Sequence, residues 1–94
     1  MEIPKPSQIT IYGTSWCGDT RRARSIFDQN HIPYEWVDID RDPSARALVE
    51  QINHGNRSVP TILFPDGSIL VEPGEKKLME KLGIPDVFQS RFCK

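Results

Sequence analysis

Apolar side chains recur along this chain with two different periods, which predict a strand, a helix and a second strand in its first part. Ile9–Tyr12 is a short run typical of a β-strand, whereas Ala23, Ile26 and Phe27 follow the i, i+3, i+4 spacing of one helix face. The aromatic and β-branched residues of Tyr34–Ile39 then favour a second strand. These elements form a βαβ unit, so the two strands should be parallel with a right-handed crossover.

The middle of the chain predicts a second helix and a hairpin. Asp42–Pro43 offers a capping side chain followed by a proline at the first helical position, and Gly55 suits the left-handed residue that ends a helix. Two apolar runs follow, Thr61–Phe64 and Ile69–Val71. Because Pro65–Ser68 between them is rich in turn-forming residues, we expect these two strands to pair in antiparallel fashion.

A last amphipathic helix is predicted after Pro73–Gly74, and Gly83–Pro85 should stop it. The element order is then β-α-β-α-β-β-α, an α/β fold with a four-stranded mixed sheet. With 94 residues the chain is long enough for one domain and too short for two. We therefore expect a single domain over residues 1–94, with its core at about residues 9–82 and a C-terminal tail at residues 83–94.

Composition and charge exclude several classes of protein. The formal net charge is -1 and the basic residues are spread along the chain, which argues against a nucleic-acid partner. The first residues contain no apolar signal-peptide core, and no apolar run approaches the length that spans a membrane. We expect a soluble, cytoplasmic monomer without nucleic-acid or membrane partners, in a compartment that keeps its two cysteines reduced.

Cys17 is the candidate nucleophile because it lies between the first predicted strand and the arginine-rich helical segment Thr20–Asn30. At the start of a helix, unpaired backbone N–H groups and the positive end of the helix dipole both favour the thiolate over the thiol. A C-x-x-C motif would carry its second cysteine at position 20, where this chain has Thr20. Cys17 must therefore act without a neighbouring thiol, and Cys93 is either an incidental thiol or a distant resolving one.

Arginine and tryptophan side chains near the thiol are candidates for substrate contacts. Arg21 and Arg24 follow it by four and seven positions, so they should share its helix face and stabilise a thiolate or bind a carboxylate. Trp16 is a candidate platform for an incoming substrate. Arg57 lies in a proline-containing loop, and its guanidinium can hold a carboxylate through two hydrogen bonds. The alternative for each is a surface side chain that is merely solvated.

Several stretches carry a resemblance to a known family. Thr14–Gly18 reads Thr-Ser-Trp-Cys-Gly, and Gly55–Thr61 contains Arg-Ser-Val-Pro-Thr ahead of a predicted strand. Two shorter stretches add to the pattern, Val37–Asp40 and Pro65–Ser68. Over roughly residues 9–82, the chain resembles the glutaredoxins, which have the thioredoxin fold, and in particular their mycoredoxin-like branch.

The resemblance implies a set of site residues. In glutaredoxins the peptide bond before the loop proline is cis, so Val59–Pro60 should be the cis bond, and the backbone of Val59 should pair with the bound thiol compound. The family's glycine pair ahead of the last helix is replaced here by Val71–Glu72. The implied catalytic residue is Cys17. With the candidates above, the substrate-binding residues are Trp16, Arg21, Arg57, Ser58, Val59, Pro60, Gly74 and Glu75.

The resemblance also implies the chemistry. Glutathione-using members rely on the glycine pair, so its replacement leaves either glutathione or mycothiol as the co-substrate, with no bound cofactor or metal. We expect a monothiol oxidoreductase that reduces mixed disulfides between client proteins and this low-molecular-weight thiol. Two alternatives stay open. One is an iron–sulfur carrier that shares a cluster between two protomers, and the other is a redox-inert module that binds thiol peptides.

Overall fold

The computed structural model describes residues 3 and 5–85 and forms a four-stranded sheet with three helices. The elements in chain order are β1 (Thr10–Gly13), α1 (Gly18–Gln29), β2 (Glu35–Asp38), α2 (Pro43–Ile52), β3 (Thr61–Leu63), β4 (Ile69–Val71) and α3 (Glu75–Leu82). The predicted order of strands and helices is confirmed. Residues 86–94 of the predicted C-terminal tail, and any role of Cys93, fall outside the described residues. The extent of the domain stays a prediction.

The sheet has the strand order β2-β1-β3-β4, so β1 is a central strand. β1 and β2 are parallel, as the α1 crossover requires, and Thr10 lies opposite Glu35. β1 and β3 are antiparallel, and Tyr12 lies opposite Thr61. β3 and β4 form the predicted hairpin. The segments that follow β1 and precede β3 therefore meet at one edge of the sheet.

Side chains of β1 alternate between two apolar clusters on opposite faces of the sheet. Ile11 lies in a buried cluster with Phe27 of α1 and Leu78 of α3. Tyr12 points to the second cluster, which includes Val49 of α2. Each fully buried aliphatic or aromatic side chain contributes about 1.5–3 kcal/mol relative to its exposed state. The two clusters hold α1 and α3 on one face and α2 on the other.

The helix ends follow local sequence signals with two departures. Asp42 caps α2 by accepting from the Ala45 amide at 3.1 Å, as predicted, and Gly55 has the left-handed φ of 98°. His54 is also left-handed, with φ 57°, which the sequence did not indicate. α1 begins at Gly18 rather than at Thr20, because the extended residue before it already serves as the N-cap.

Candidate active site

Cys17 lies at the N-cap of α1, directly after the turn that follows β1. Its backbone is extended, with φ -80° and ψ 126°, and its carbonyl accepts a helical hydrogen bond from the Arg21 amide at 3.1 Å. Its amide donates to the Thr14 carbonyl at 3.3 Å and closes the turn. The Cys17 side chain is half-buried and makes no capping hydrogen bond. Its thiol is therefore partly accessible at the helix end whose dipole favours negative charge.

Thr20 occupies the position of the missing second cysteine and is fully buried. Its side chain lies against Gly13 at the end of β1, where an added Cβ would come within 2.6 Å of Thr20 Cγ2. The hydroxyls of Thr14 and Thr20 are both buried without a hydrogen-bond partner in the part of the chain that the structure describes. The helix start is thus tightly packed on the strand, and glycine at position 13 permits this close approach.

The charged side chains of α1 divide between two directions. Asp19 forms an exposed ion pair with Arg22, and Arg21 is exposed. Arg24, which was predicted to share the Cys17 face, directs its guanidinium to the aromatic side chains Trp36 and Tyr34. Its guanidinium carbon lies 4.0 Å from the centre of the Trp36 ring, and its Nε is 3.4 Å from the Tyr34 hydroxyl. The cation is drawn to the aromatic side chains beside α1 because a ring face attracts positive charge.

Trp16 is an exposed aromatic side chain directly before Cys17, with 70% of its surface accessible. Its indole Nε1 donates a hydrogen bond to Asp40 Oδ2 at 2.8 Å. Asp40 follows β2, whose C-terminal end lies beside that of β1 in the parallel pair. Asp40 was not among the predicted site residues. An acidic residue just after a parallel strand was the available signal, because such residues meet the site at the same sheet edge.

The Tyr12 hydroxyl lies near two acidic side chains, one at the start of β2 and one at the cap of α2. Burial first, and then the charges of Glu35 and Asp42, raise the pKa of the Tyr12 hydroxyl above its ordinary value. The Asp42 carboxylate itself has a lowered pKa, because the Ser44 hydroxyl and the Ala45 amide donate hydrogen bonds to it.

The loop before β3 forms the opposite side of the candidate site. The bond Val59–Pro60 is cis, as predicted, and Pro60 is fully buried. Val59 packs on the apolar cluster below α2, and the Ser58 carbonyl accepts from the Thr61 hydroxyl at 2.7 Å. Arg57 is not free, since its Nε donates to Glu50 Oε2 at 3.0 Å. A carboxylate ligand would have to compete with Glu50 for Arg57.

A cavity of about 180 Å³ lies between α1 and the segment that enters α3. Gly74 is the N-cap of α3 and Glu75 is its first residue. Both line the cavity, together with Glu72, which has a left-handed φ of 48° and whose amide donates to the Pro60 carbonyl at 2.8 Å. Asp19 and Arg22 line its other wall. The lining is thus rich in carboxylates, two of which have no cationic partner within residues 3 and 5–85.

The sheet brings most of the predicted residues to one edge. The Trp16–Cys17 turn follows β1, the loop of residues 57–60 precedes β3, and Gly74 follows β4. These segments are adjacent because β1 pairs with β3 and β3 pairs with β4. Arg24 is the candidate that the structure separates from this group.

Neither a metal site nor a membrane-spanning helix is found among the described residues. No group of three or more His, Cys, Asp or Glu side chains could hold a metal ion among residues 3 and 5–85. Over the same residues, no helix has the length and apolar character needed to cross a bilayer.

A thiol at the start of the helix that follows a central strand, opposite a cis-proline loop, defines the thioredoxin-like class. Solved structures share this fold. A glutaredoxin from Archaeoglobus fulgidus matches with a TM-score of 0.65 and 23% identity over 80% of this chain and 85% of its own. A buckwheat glutaredoxin solved in complex with glutathione matches with a TM-score of 0.61 and 23% identity over 80% and 67% of the two chains.

Sequence comparison then gives the family. The glutaredoxin family matches residues 9–69. The glutaredoxin homologue Rv3198A of Mycobacterium tuberculosis is 43% identical over 79% of this chain and 88% of its own length. Mycoredoxin 1 of Corynebacterium glutamicum is 34% identical over 81% and 94% of the two chains. The chain belongs to the glutaredoxin family, and its relatives support a glutaredoxin-type thiol oxidoreductase.

Proposed function

We propose that this protein is a monothiol oxidoreductase that reduces mixed disulfides between client proteins and a low-molecular-weight thiol. The observation that carries the proposal is the pairing of a partly accessible Cys17 at the N-cap of α1 with a buried Thr20 at the second motif position. Helix N-termini favour the thiolate, which is the attacking species in thiol–disulfide exchange. Thr20 has no thiol with which to close an internal disulfide.

The reaction then takes two exchanges. The Cys17 thiolate attacks the small-thiol sulfur of the mixed disulfide, the client thiolate leaves and takes up a proton, and Cys17 carries the small thiol as a new disulfide. A second small-thiol molecule, as its thiolate, attacks the outer sulfur of that disulfide and releases Cys17. The two small thiols leave as their disulfide, so the electrons that reduce the client come from the small thiol. No step needs a second protein thiol or a bound cofactor.

The cavity between α1 and α3 favours mycothiol over glutathione as that co-substrate. Its lining includes Asp19, which is paired with Arg22, together with Glu72 and Glu75. Glutathione carries two carboxylates, which like charges would repel, whereas mycothiol ends in a neutral sugar and inositol rich in hydroxyls. Carboxylate side chains accept hydrogen bonds from such hydroxyls. The similarity to Mycoredoxin 1 of Corynebacterium glutamicum supports the same choice.

A paired assay tests the function and the thiol together. Matched peptides that carry glutathione or mycothiol on one cysteine are offered with the corresponding free thiol, and release of the peptide thiol is measured. We expect the mycothiol substrate to have the higher kcat/KM and Cys17→Ser to turn over neither. Failure of the wild type on both substrates, or full activity of Cys17→Ser, would contradict the proposal.

The carboxylates of the cavity provide the first specificity prediction. Removing the charges with Glu72→Gln and Glu75→Gln together should raise kcat/KM for the glutathione peptide relative to the mycothiol peptide by about threefold or more, because like-charge repulsion falls. Glu80→Gln is the matched control, since it removes one carboxylate from an exposed position of α3 outside the cavity. An unchanged ratio in the double variant would mean that the cavity does not receive the polar end of the thiol.

The expected localisation, oligomeric state and domain extent are also part of this proposal. The protein would act as a cytoplasmic monomer of one domain, in a compartment where its thiols stay reduced. Glutathione as the co-substrate and an iron–sulfur cluster shared between two copies are the competing outcomes. Visible absorption after anaerobic reconstitution with iron and sulfide, lost in Cys17→Ser, would support the cluster.

A further inference from the structure

The indole of Trp16 and the carboxylate of Asp40 form a pair of side chains beside the thiol, which we call the Trp16–Asp40 pair. Its members are 24 positions apart and are joined by the hydrogen bond of 2.8 Å from Nε1 to Oδ2. Both are exposed, and 70% of the Trp16 surface is accessible. An indole held by its N–H, with its ring still in solvent, is a fixed aromatic platform rather than part of the core.

Asp40 is held in place by the turn that follows β2. Its amide donates to Asp38 Oδ1 at 2.9 Å, and the Arg41 amide donates to the Asp38 carbonyl at 3.1 Å. The carboxylate of Asp40 has no lysine or arginine within ion-pair distance among residues 3 and 5–85, whereas Arg41 lies 3.9 Å from Asp38. A positioned carboxylate without a cation is thus joined to an exposed ring.

The fold itself shows what such a ring accepts. Arg24 stacks on Trp36 with its guanidinium carbon 4.0 Å from the ring centre, and Lys81 Nζ lies 4.9 Å from the centre of the Phe64 ring. Trp16 has no such cation in the described part of the chain. Tryptophan is the aromatic residue that attracts a cation most strongly, and an adjacent carboxylate adds an ion pair to the same guanidinium or ammonium.

We infer that the Trp16–Asp40 pair selects client proteins that carry an arginine or lysine next to their thiolated cysteine. The inference rests on the proposed function, because it concerns the client half of the same mixed disulfide. When the small-thiol sulfur of the mixed disulfide lies against Cys17, the side chains beside the client cysteine pass over the residue directly before Cys17. A basic neighbour would stack on Trp16 and pair with Asp40, whereas an acidic neighbour would be repelled by Asp40.

Three peptides that differ only in charge test this recognition. Each has the sequence Ala-X-Cys-X-Ala, with X as Arg, Gln or Glu, and carries mycothiol on its cysteine. We expect wild-type kcat/KM to be highest for the Arg peptide, about tenfold above the Gln peptide, and lowest for the Glu peptide. The preference should shrink as salt is raised from low ionic strength to about 1 M, because screening weakens the ion pair.

Three variants distinguish the effect of the Asp40 charge from the effects of the Trp16 ring and of net charge. In Asp40→Asn, the amide oxygen can still accept from the Trp16 indole but carries no charge, so the Arg-to-Glu ratio should fall several-fold. Trp16→Leu should abolish the Arg-to-Gln preference because the aromatic face is lost. Glu80→Gln changes the net charge equally at a distant exposed position and should keep the wild-type ratio.

A binding measurement tests client recognition independently of the proposed catalytic function. The same three peptides with serine in place of cysteine are titrated into Cys17→Ser, and binding is followed by amide chemical shifts. Tighter binding of the Arg peptide, with shifts at Trp16 and Asp40, supports the inference even if no peptide is turned over, an outcome that would refute the proposed function alone. Equal rates for the Arg and Glu peptides, or equal binding, would overturn it, and so would an undiminished preference in Asp40→Asn.

Discussion

Thr20 occupies the position at which a dithiol enzyme has its second cysteine, and its packing shows what size of side chain this position accepts. The side chain is fully buried against Gly13, and its hydroxyl has no partner among the described residues. An unpaired buried hydroxyl costs about 1–3 kcal/mol relative to a satisfied one. The close packing against Gly13 leaves room only for a small side chain at the helix start. Cysteine fits this condition, because it lacks the Cγ2 methyl of threonine.

Restoring a thiol at this position should change the reaction. Thr20→Cys places a second thiol one helical turn after Cys17, so mild oxidation should close an internal disulfide, and the variant should reduce a protein disulfide such as that of insulin. Loss of free thiols in a thiol-reagent titration measures the first effect, and insulin turbidity measures the second. Thr20→Ser is the control, since it keeps the hydroxyl and adds no thiol. Absence of an internal disulfide would contradict the inference that side chains at positions 17 and 20 can meet.

The contact between Thr20 and Gly13 leads to a stability prediction. Gly13→Ala would bring its new methyl within 2.6 Å of Thr20 Cγ2, so we expect the free energy of unfolding to fall by about 1–3 kcal/mol. Urea denaturation measures the loss. Gly18→Ala is the matched control, because no atom lies within 4 Å of a Cβ added there. In the double variant Gly13→Ala with Thr20→Ala, the loss in free energy of unfolding should be smaller than the sum of the losses in the two single variants. A loss equal to that sum would refute the predicted clash.

At the scale of elements, the β3–β4 hairpin is tied to α3 through the turn that connects its strands. Asp66 accepts from the Ser68 hydroxyl at 2.6 Å, from the Ser68 amide at 2.8 Å and from Lys81 Nζ at 2.9 Å. These hydrogen bonds, of which that from the Ser68 hydroxyl has the largest effect, hold the pKa of the Asp66 carboxyl well below its usual range. The turn between β3 and β4 thus contacts the last turn of α3, the helix whose first residues line the acidic cavity.

The lowered pKa of Asp66 predicts part of the acid sensitivity of the fold. A carboxyl whose pKa is lower in the folded state stabilises it fully above the unfolded value of about 3.9, and this contribution is lost as pH falls through the folded value. Asp66→Asn should therefore be less stable than wild type near neutral pH, and the difference should narrow below about pH 4. Urea midpoints between acidic and neutral pH measure it. A difference for Asp66→Asn that stays constant over this pH range would contradict the assignment.

The elements were predictable because their signals are local. Apolar periods, the Asp42 cap and the Pro65–Ser68 turn each lie within a few residues of the structure that they determine. The reach of long side chains was not. Arg24 was placed beside the thiol by helical spacing alone, but the position of the Trp36 ring decides its direction.

The same limit applies to the site. Cys17 could be identified because a strand, a turn and a helix start are consecutive in sequence. The hydrogen bond between Trp16 and Asp40 spans 24 positions, and it exists only because β2 ends beside β1. The ion pair of Arg57 with Glu50 likewise depends on where the end of α2 meets the loop before β3.

At the scale of the whole molecule, β1 pairs with β2 on one side and with β3 on the other, so two different surfaces flank the thiol. The β2 side presents the Trp16–Asp40 pair, and the β3–β4 side leads to the cavity with Glu72 and Glu75. A mixed disulfide has two halves, a client chain and a small thiol. Under the proposed function, the client half lies over the first surface and the small thiol lies toward the second.

The lack of a neighbouring resolving thiol predicts which product accumulates when no free small thiol is supplied. With Thr20 in place of a resolving cysteine, treatment with excess mycothiol disulfide should leave one mycothiol on Cys17 and release one mycothiol to solution. Intact mass measures the addition of a single small-thiol unit. Cys17→Ser should lose this adduct, and Cys93→Ser should keep it. A wild-type product that is lighter by two hydrogens, and that Cys93→Ser cannot form, would instead make Cys93 a resolving thiol, because only an internal disulfide releases the bound mycothiol without a second one.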